Sequence, residues 1–326
     1  MNKNTPILIF GAGSIGERHI RNLWTLGYCN LLLYRQRNLP FRDIGEAEVQ
    51  VFLDLNETKS LNPEVAFICT PTAQHLEQTI YCVENKMHVF VEKPLSHTLE
   101  NMDHLKSIVA NSNKLLQVGF MMRFHPHILK VKNYIQENIF GELISSTSHW
   151  GSYLPDWHPW ENYKESYAAK KNLGGGVALT LCHDIDLAIW LAMRPIKNYE
   201  TNFSYSGELD IETASIADIE INFVDGVNSR IHLNYLANPP IRKYHWEFEH
   251  VFIDFNYFDN LLIISSKNDP FENQEYKIEA FDRNQLFLAE VTDFFYKIEN
   301  ISNPVQHSFN SIRESELLIS ICNGDN

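Results

Sequence analysis

The sequence predicts an α/β protein with a doubly wound parallel sheet at the N-terminus, followed by an α+β domain on a mainly antiparallel sheet. Its 326 residues fit two domains of the usual size. In the first third, apolar strand candidates alternate with helical stretches, which predicts parallel strands. After about residue 121, strand candidates follow one another directly. The predicted domains are therefore 1–121 and 122–326.

The N-terminus has the pattern of a buried strand, a glycine loop and a helix. Residues 6–10 form a short apolar run, and apolar residues recur at helical spacing over residues 15–26. Between them, Gly11 permits a tight turn, Gly13 lets the backbone approach a pyrophosphate, and Gly16 allows close packing of helix on strand. The helix N-terminus offers unpaired N–H groups to phosphates. This pattern predicts a Rossmann domain whose phosphate contacts come from Gly11, Gly13, Ser14, Ile15 and Gly16; a plain glycine turn is the alternative.

The second predicted strand ends in arginine where an acidic residue is common. Arg35 and Arg37 follow the apolar residues 31–33, in the window that reads the adenosine ribose. A guanidinium binds a 2′-phosphate bidentately, so NADP is favoured over NAD as the cofactor. The alternative is a solvated strand edge, with Asp43 or Asp54 reaching the ribose.

Further elements complete the first domain. Strands are predicted at 49–53, 65–70, 88–91 and 115–120, and helices at 75–84 and 98–110, the second capped by Ser96. Ligands of such sheets bind beyond the carboxyl ends of the strands. Two segments fall there: Thr70-Pro71-Thr72, expected along the dinucleotide, and Glu92-Lys93-Pro94, expected near its reactive ring.

The second domain shows strand and hairpin signals. Residues 216–224 and 229–236 flank Asp225-Gly226, which indicates a hairpin. Further strands are predicted at 244–255 and 260–265, and helices at 285–298 and 311–321. These elements predict a largely antiparallel sheet with one face covered by helices.

Composition limits the partners. The net charge of -14 and the pI near 5.4 argue against nucleic acid and an anionic membrane surface. No apolar run reaches the length of a signal core or a membrane span, so a cytoplasmic protein is expected. The five cysteines have no Cys-x-x-Cys spacing, and the histidine pairs lack a ligand pattern; neither disulfides nor a metal site is predicted.

Several motifs together resemble the glucose-fructose oxidoreductase/inositol dehydrogenase (Gfo/Idh/MocA) family. They are the glycine loop, Ile68-Cys69-Thr70-Pro71 with His75, Glu92-Lys93-Pro94, Gly119-Phe120-Met121-Met122-Arg123-Phe124 with Pro126, and Gly174-Gly175-Gly176 leading to His183 and Asp186. The resemblance spans most of the chain. It implies a Rossmann domain, a C-terminal domain with a large open sheet, and a homodimer or homotetramer formed by pairing of open sheets. It extends the cofactor site to Thr70, Pro71, Thr72, His75, Glu92 and Lys93.

The resemblance also implies an activity, hydride transfer between a nicotinamide and a carbinol carbon. Lys93 would contact the reacting hydroxyl and the nicotinamide region, His183 would serve as acid/base, and Glu92 would orient the nicotinamide ribose. The residue types suit these roles, because burial lowers a lysine pKa and imidazole titrates near neutrality.

One position departs from the family pattern. Many members carry an aspartate four positions before the catalytic histidine, whereas this chain has Leu179 there. Either Thr180 orients His183 or the histidine acts without such a partner. The departure leaves an alternative from another class, a non-catalytic cofactor-binding sensor or scaffold.

Residues 153–160 resemble a branch associated with surface-polysaccharide and nonulosonic-acid sugar biosynthesis, which implies a sugar or nucleotide-sugar substrate. Trp157, His158 and Trp160 suit stacking on a sugar ring, or else they anchor a loop. Arg123 is expected to bind a carboxylate or phosphate of the substrate, with an ordinary ion pair as the alternative. Asp186 is a further substrate candidate or a solvated acid near a helix start.

Overall fold

A computed structural model describes residues 1–36, 40–45, 49–269 and 272–325, so Arg37 lies outside the described residues. The chain divides into two compact units. The first is Met1–Met121 with Asn284–Leu317, and the second is Met122–Arg283 with Leu318–Asn326. All residues after 121 were predicted to form the second domain, whereas the structure groups Asn284–Leu317 with the first unit.

The first unit contains a six-stranded parallel sheet with the order β3-β2-β1-β4-β5-β6. The strands are β1 (Ile7–Phe10), β2 (Leu31–Tyr34), β3 (Gln50–Phe52), β4 (Val65–Ile68), β5 (His88–Glu92) and β6 (Leu116–Gly119). Its helices include α1 (Ser14–Thr25), α2 (Leu55–Lys59), α3 (His75–Glu84) and α4 (Met102–Ala110). The prediction of an N-terminal Rossmann fold is confirmed.

A late helix completes this core. Helix α8 (Asn284–Asn300) places Val291, Phe294 and Phe295 in the same apolar cluster as Phe67 and Phe90 of the sheet. The rings of Phe67 and Phe90 stack at 5.0 Å, and Phe294 meets both edge-on. Burial of these aromatic side chains explains why a segment so distant in sequence belongs to the first unit.

Helix α4 begins later than predicted. It begins at Met102, after Asn101 in the left-handed region with φ 64°. The Ser96 hydroxyl accepts the N–H of Thr98, so Ser96 supports a local turn and does not cap the helix. The predicted start at residue 98 was wrong because asparagine tolerates the left-handed conformation and allows a further turn before the helix.

The second unit contains an eight-stranded sheet with the order β14-β13-β12-β11-β7-β10-β9-β8. Strands β7 and β10 are parallel and the other neighbouring pairs are antiparallel, so the predicted large, mainly antiparallel sheet is confirmed. The strands are β7 (Leu143–Gly151), β8 (Ile196–Ser204), β9 (Ile216–Phe223), β10 (Asn228–Asn234), β11 (Ile241–Phe248), β12 (Val251–Asn256), β13 (Leu261–Ser266) and β14 (Asn273–Lys277). The helices are α5 (Pro126–Gln136), α6 (Val177–Thr180) and α7 (His183–Ala192), while α9 (Pro304–Asn323) has residues in both units.

Two hairpins test the strand predictions. The hairpin at Asp225-Gly226 joins β9 to β10 as predicted, with Gly226 at φ +96°. The predicted single strand 244–255 was wrong, because β11 and β12 pair antiparallel across a turn at the exposed residues Glu249 and His250. The buried residues are even-numbered before that turn and odd-numbered after it, which indicates two separate strands.

The two faces of this sheet differ. Helix α7 packs on β7 and β10, and helix α6 packs on β9 and β10. The other face carries polar pairs: His232 bonds Asp218 at 2.7 Å and His245 bonds Asp254 at 2.8 Å. Alternation of buried and polar residues along these strands positions α7 against the covered face.

Within the described ranges, no single helix has both the length and the apolar character needed to cross a bilayer. One bent pair, Lys171–Thr180 with His183–Ala192 at 51°, meets that criterion jointly by length and composition.

Candidate functional site

Two glycines of the N-terminal loop are required by close backbone packing. Gly11 has φ +86°, and a Cβ there would lie 3.0 Å from the carbonyl oxygen of Cys69. A Cβ on Gly16 would lie 2.2 Å from the carbonyl oxygen of Gly11. Side chains at these positions are therefore excluded by the loop and by the neighbouring strand end.

Gly13 has a different environment. It is the N-cap of α1 with φ -74°, a conformation open to any residue. Apart from its two chain neighbours, no described residue has an atom within 4 Å of a Cβ built on it. No side-chain cap bond occupies this end of α1 in the described part of the chain, and Ser14 and Ile15 begin the helix. The space beside Gly13 and the exposed end of a twelve-residue helix fit a pyrophosphate, which is the group that the glycine spacing predicts.

Arg35 lies at the carboxyl end of β2, as predicted. Its guanidinium lies over the ring of Phe41 at 4.5 Å, and its backbone N–H donates to the carbonyl of Phe52. The acidic alternatives have other partners: Asp54 caps α2 by accepting the N–H of Asn56, and the Asp43 carboxylate lies 3.5 Å from Arg21.

His75 connects two of the loops that were predicted to contact the cofactor. Its Nδ1 lies 2.7 Å from the carbonyl oxygen of Pro94, and its Nε2 lies 2.8 Å from that of Thr70. Burial lowers the pKa of His75, and both carbonyl contacts oppose that shift. The ring is 2% exposed. It therefore fixes the Thr70-Pro71-Thr72 and Glu92-Lys93-Pro94 segments relative to each other.

A buried cluster lies behind the Glu92-Lys93-Pro94 loop. His19 Nε2 lies 2.6 Å from Glu92 Oε1, and one ligand atom from each of His19, Glu92 and Glu290 lies within 4.8 Å of the others. Glu290 is 1% exposed, and neither of its carboxyl oxygens has a hydrogen-bond partner among the described residues. The same spacing suits a metal ion, a site that the sequence analysis did not predict.

The two carboxyl groups of this cluster have opposite electrostatic behaviour. Burial opposes ionisation of Glu92, but the hydrogen bond and charge of His19, with the charge of Lys93, lower the pKa of Glu92. Burial raises the pKa of Glu290 well above its usual value, and the charge of Glu92 raises it further. Glu92 is therefore the ionised member, and Glu290 keeps its proton to higher pH.

Sequence reasoning missed His19 and Glu290, although one of them had a signal. Glu290 occupies the position between Phe287 and Val291 on the apolar face of α8, where a carboxylate is unexpected unless it has a buried role. His19 lies on α1 and is fully buried among Phe67 and other aromatic rings. A histidine at that position does not break the pattern of its helix as the acidic Glu290 does on α8.

In the second unit, His183 is the first residue of α7 and is 3% exposed. Its ring stacks on that of Trp150 with a centroid distance of 6.3 Å and an interplanar angle of 26°. Leu179, at the position of the family aspartate, is an apolar residue of α6 and is 8% exposed. Burial raises the pKa of the Tyr235 phenol well above its usual value, and the Thr180 hydroxyl opposes that shift.

Two predicted substrate residues of the second unit are partners of each other. Arg123 Nε donates to Asp186 Oδ2 at 3.0 Å, and Arg123 Nη2 donates to Asp186 Oδ1 at 2.5 Å. This is the bidentate geometry of a strong ion pair, and Asp186 is buried. The ion-pair interpretation of Arg123 describes the observed contact, and Asp186 is not a solvated acid.

The aromatic stretch of residues 157–160 has one anchored and one exposed tryptophan. The indole of Trp157 donates to the Ser152 hydroxyl at 2.9 Å and meets Tyr235 edge-on at 5.4 Å. Trp160 is 62% exposed and its ring lies 5.2 Å from that of His158. Trp157 therefore anchors the loop, while Trp160 has a face available to other molecules.

A glycine loop between β1 and α1, a helix N-terminus facing open space and a second unit on a large mixed sheet together define a dinucleotide-binding protein of two-unit architecture. The family model described as "Oxidoreductase family, NAD-binding Rossmann fold" matches residues 6–120, and that described as "GFO/IDH/MocA C-terminal domain" matches residues 128–249. The chain belongs to the GFO/IDH/MocA oxidoreductase family. The predicted family is confirmed.

Named relatives agree with this assignment. The chain is 29% identical over 161 residues to the uncharacterized oxidoreductase YrbE of Bacillus subtilis, covering 45% of each chain. A levoglucosan dehydrogenase in complex with NADH and levoglucosan superposes with a TM-score of 0.80 at 17% identity, over 98% of this chain and 96% of that one. The UDP-N-acetylglucosamine 3-dehydrogenase GnnA of Acidithiobacillus ferrooxidans superposes with a TM-score of 0.75 at 15% identity, over 98% and 97%.

The extent of the matches differs between sequence and structure. The sequence matches to the first curated relatives span 45%, 32% and 41% of those proteins, so the chain matches less than half of their length. The structural superpositions cover nearly the whole chain, and at their low identity they establish the fold. The comparisons provide no support for the alternative of a non-catalytic sensor or scaffold.

Proposed function

We propose that this protein is an NAD(P)-dependent oxidoreductase that transfers a hydride between a nicotinamide and a carbinol carbon of a sugar or nucleotide sugar. The observation that carries the proposal is the loop of Gly11 to Gly16, with open space beside Gly13 at an uncapped helix end. Membership of a family of NAD-binding oxidoreductases supports the same conclusion.

The proposed chemistry assigns separate tasks to few residues. When bound, the nicotinamide accepts or returns the hydride, and the protein must take or supply the hydroxyl proton. We assign that proton to Lys93 of the first unit and His183 of the second. Glu92 would orient the nicotinamide ribose, and its hydrogen bond to His19 holds that carboxylate in place. His75 fixes the loop that carries Lys93.

Turnover on a sugar panel tests these roles. Purified protein is incubated with NADPH or NADH and with oxidised sugars, or with the oxidised cofactors and polyols or nucleotide sugars, while nicotinamide absorbance is followed. We expect Lys93→Ala and His183→Asn to lower kcat at least 100-fold, the typical contribution of a positioned acid or base. The exposed residues Lys59 and His104 provide the controls Lys59→Ala and His104→Asn, which should retain wild-type rates.

Retention of turnover in the Lys93 or His183 variant would overturn that residue's role. Binding of cofactor without turnover on any member of the panel would overturn the oxidoreductase proposal itself.

We propose NADP as the preferred cofactor, with NAD as the alternative. The support is Arg35, a buried cation at the end of β2 where the adenosine ribose is bound in this fold. Charge-assisted bonds to a phosphate contribute about 1.5–3 kcal/mol. Arg35→Ala should therefore weaken NADPH binding about 10-fold to 100-fold and leave NADH binding unchanged. The control Arg313→Ala, at an exposed arginine of the same unit, should change neither. Equal loss of both cofactors would contradict the assignment.

The substrate class rests on the relatives and on the second unit. The names of two structural neighbours, levoglucosan dehydrogenase and UDP-N-acetylglucosamine 3-dehydrogenase, indicate a sugar and a nucleotide sugar as substrates of those proteins. We propose that Trp160 and His158 stack on a sugar ring, and that the Arg123–Asp186 pair holds Arg123 ready for a polar group of the substrate. Trp157 supports this loop from within. A role in polysaccharide precursor synthesis follows from the same proposal.

We also propose a homodimer or homotetramer, formed through the open face of the sheet in the second unit, and a cytoplasmic location. The support for the first is the wide face of the eight-stranded sheet opposite α6 and α7, on which His149 and His232 are in contact. The support for the second is a set of five cysteines without a disulfide spacing. Light scattering of the purified protein tests the assembly, and a monomer at micromolar concentration would contradict it.

A further inference from the structure

The position of Leu179 raises the question of what orients His183. In the family pattern a carboxylate stands one helical turn before the histidine, and leucine offers no hydrogen bond there. Trp150 of β7 lies against the His183 ring, at a stacked centroid distance of 6.3 Å. That distance lies within the range of about 4.5–7 Å for interacting aromatic pairs.

Trp150 is itself held by a buried cation. Arg242 stands directly opposite Trp150 in the register of β11 and β7, on the same face of the sheet. Its guanidinium carbon lies 3.8 Å from the centroid of the Trp150 ring. This is the geometry of a cation–π contact that is shielded from water, because Arg242 is 2% exposed.

Arg242 is fixed in turn by a closed triangle of hydrogen bonds. Its Nη2 donates to Asp184 Oδ1 at 2.6 Å and its Nε contacts the Tyr244 hydroxyl at 2.8 Å, while that hydroxyl donates to Asp184 Oδ1 at 2.7 Å. All three side chains are buried. Burial opposes ionisation of Arg242, but the charge of Asp184 raises the pKa of Arg242 above its ordinary value, so the cation is permanent.

One member of the triangle, Asp184, lies on the same helix as His183. Asp184 follows His183 in the first turn of α7, so a single turn presents the imidazole and anchors the cation that holds its stacking partner. Three elements of the second unit, α7, β7 and β11, are thereby linked around one ring. A leucine at position 179 is compatible with a fixed imidazole because the constraint comes from the sheet.

We propose that Trp150 is a positioning residue for His183, and that the Asp184–Arg242–Tyr244 triangle keeps the indole in place, substituting for the aspartate that this chain lacks. The inference rests on the proposed acid/base role of His183 for its kinetic consequence. Its structural content, the fixed orientation of the imidazole, can be measured independently of activity.

The test compares Trp150→Leu, which removes the ring, with Trp150→Phe, which keeps a flat aromatic surface. In histidine-labelled protein, with the signal assigned by comparison with His183→Asn, the His183 ring should give one sharp signal in the wild type. We expect Trp150→Leu to displace or broaden that signal and to lower kcat about 10-fold or more, with KM for the dinucleotide unchanged. Trp150→Phe should recover most of both properties.

Trp246 offers a matched control. It is a buried indole on β11 whose ring stacks on Tyr244, so Trp246→Phe disturbs the same covered face through another contact. We expect that variant to keep the His183 signal. A folded Trp150→Leu protein with an unchanged His183 signal would overturn the proposal. An effect of Trp246→Phe on that signal as large as the effect of Trp150→Leu would also overturn it.

If Trp150→Leu does not fold, Arg242→Lys decides the question. Lysine keeps the charge but lacks the planar group that covers the indole, so the His183 signal should move in the same direction by a smaller amount. An unchanged signal in Arg242→Lys would overturn the proposal. Undiminished turnover of His183→Asn, in contrast, would contradict only the acid/base assignment, because the ring signals of the Trp150 variants do not depend on turnover.

Discussion

The glycine loop allows a paired test in which one methyl group is added at each of two neighbouring positions. Gly13→Ala places a methyl group where no described residue except the two chain neighbours has an atom within 4 Å, at a backbone conformation that alanine adopts freely. Gly16→Ala places the same group 2.2 Å from the carbonyl oxygen of Gly11. The two changes therefore separate the cofactor role of the loop from its packing role.

The structure gives opposite expectations for stability and binding. Gly13→Ala should leave the free energy of unfolding unchanged or raise it by about 0.4–1 kcal/mol, because alanine restricts the unfolded chain. Its methyl group should occupy the space proposed for the pyrophosphate and weaken NADPH at least about 10-fold, or about 1.4 kcal/mol. In Gly16→Ala, overpacking of about 1–3 kcal/mol outweighs the gain of about 1 kcal/mol in helix propensity, so stability should fall.

Thermal unfolding and fluorescence titration with NADPH measure the two quantities on the same samples. For a unit of this size, a loss of 1 kcal/mol lowers Tm by about 2–4 °C. Unchanged NADPH affinity in a stable Gly13→Ala protein would refute the assignment of this loop to the pyrophosphate. A Gly16→Ala protein as stable as the wild type would refute the packing argument.

Three further predictions concern buried charges. Burial lowers the pKa of His125 to about 3, whereas in the unfolded chain this pKa lies near 6.5. The neutral ring therefore stabilises the fold above about pH 6.5, and this contribution is lost as pH falls towards 3. His125→Asn keeps the cap on the His127 N–H, and it should reduce the loss of unfolding free energy between pH 7 and pH 5 by about 2 kcal/mol in urea titrations. Because the pKa of Glu290 is raised, its protonated carboxyl contributes stability that is fully present below about pH 4.5. This contribution is lost as pH rises through the raised pKa. Relative to the wild type, Glu290→Gln should raise the free energy of unfolding at high pH by about 1.4 kcal/mol for each unit by which the pKa is raised. The difference in Tm between variant and wild type should therefore be larger at pH 8 than at pH 5, and an equal difference at both would count against a buried carboxyl. Arg242→Met should lower the free energy of unfolding by about 3–5 kcal/mol because Asp184 stays buried without its cation, and Asp184→Asn added to it should restore part of that loss in a double-mutant cycle.

Much of the fold was predictable because local patterns and tertiary packing agree. Strands β1 and β4 are apolar on both faces, as buried parallel strands must be, and the Asp225-Gly226 turn fixes one hairpin. The merged strand 244–255 was predicted because apolar character continues through it, while the turn depends on a change of phase at Glu249 and His250. The place of α8 in the first unit depends on aromatic packing between distant segments, and no local pattern encodes that.

The site divides in the same way. Gly11 and Gly16 were identifiable because close backbone packing demands glycine at these two positions of the loop. The pairing of Arg123 with Asp186 and the stacking of Trp150 on His183 join residues far apart in sequence, so spacing could not reveal them. A long-range partner becomes visible in a sequence only where it breaks a pattern, as Glu290 does on α8.

The most direct test of the central claim is isotope transfer. The protein is mixed with NADPH deuterated at C4 and with oxidised sugars or nucleotide sugars, and the products are analysed by mass spectrometry. The proposed function predicts one deuterium at the carbinol carbon of a product, with transfer abolished in Lys93→Ala and His183→Asn and retained in Lys59→Ala. Tight NADPH binding without label in any product would contradict it.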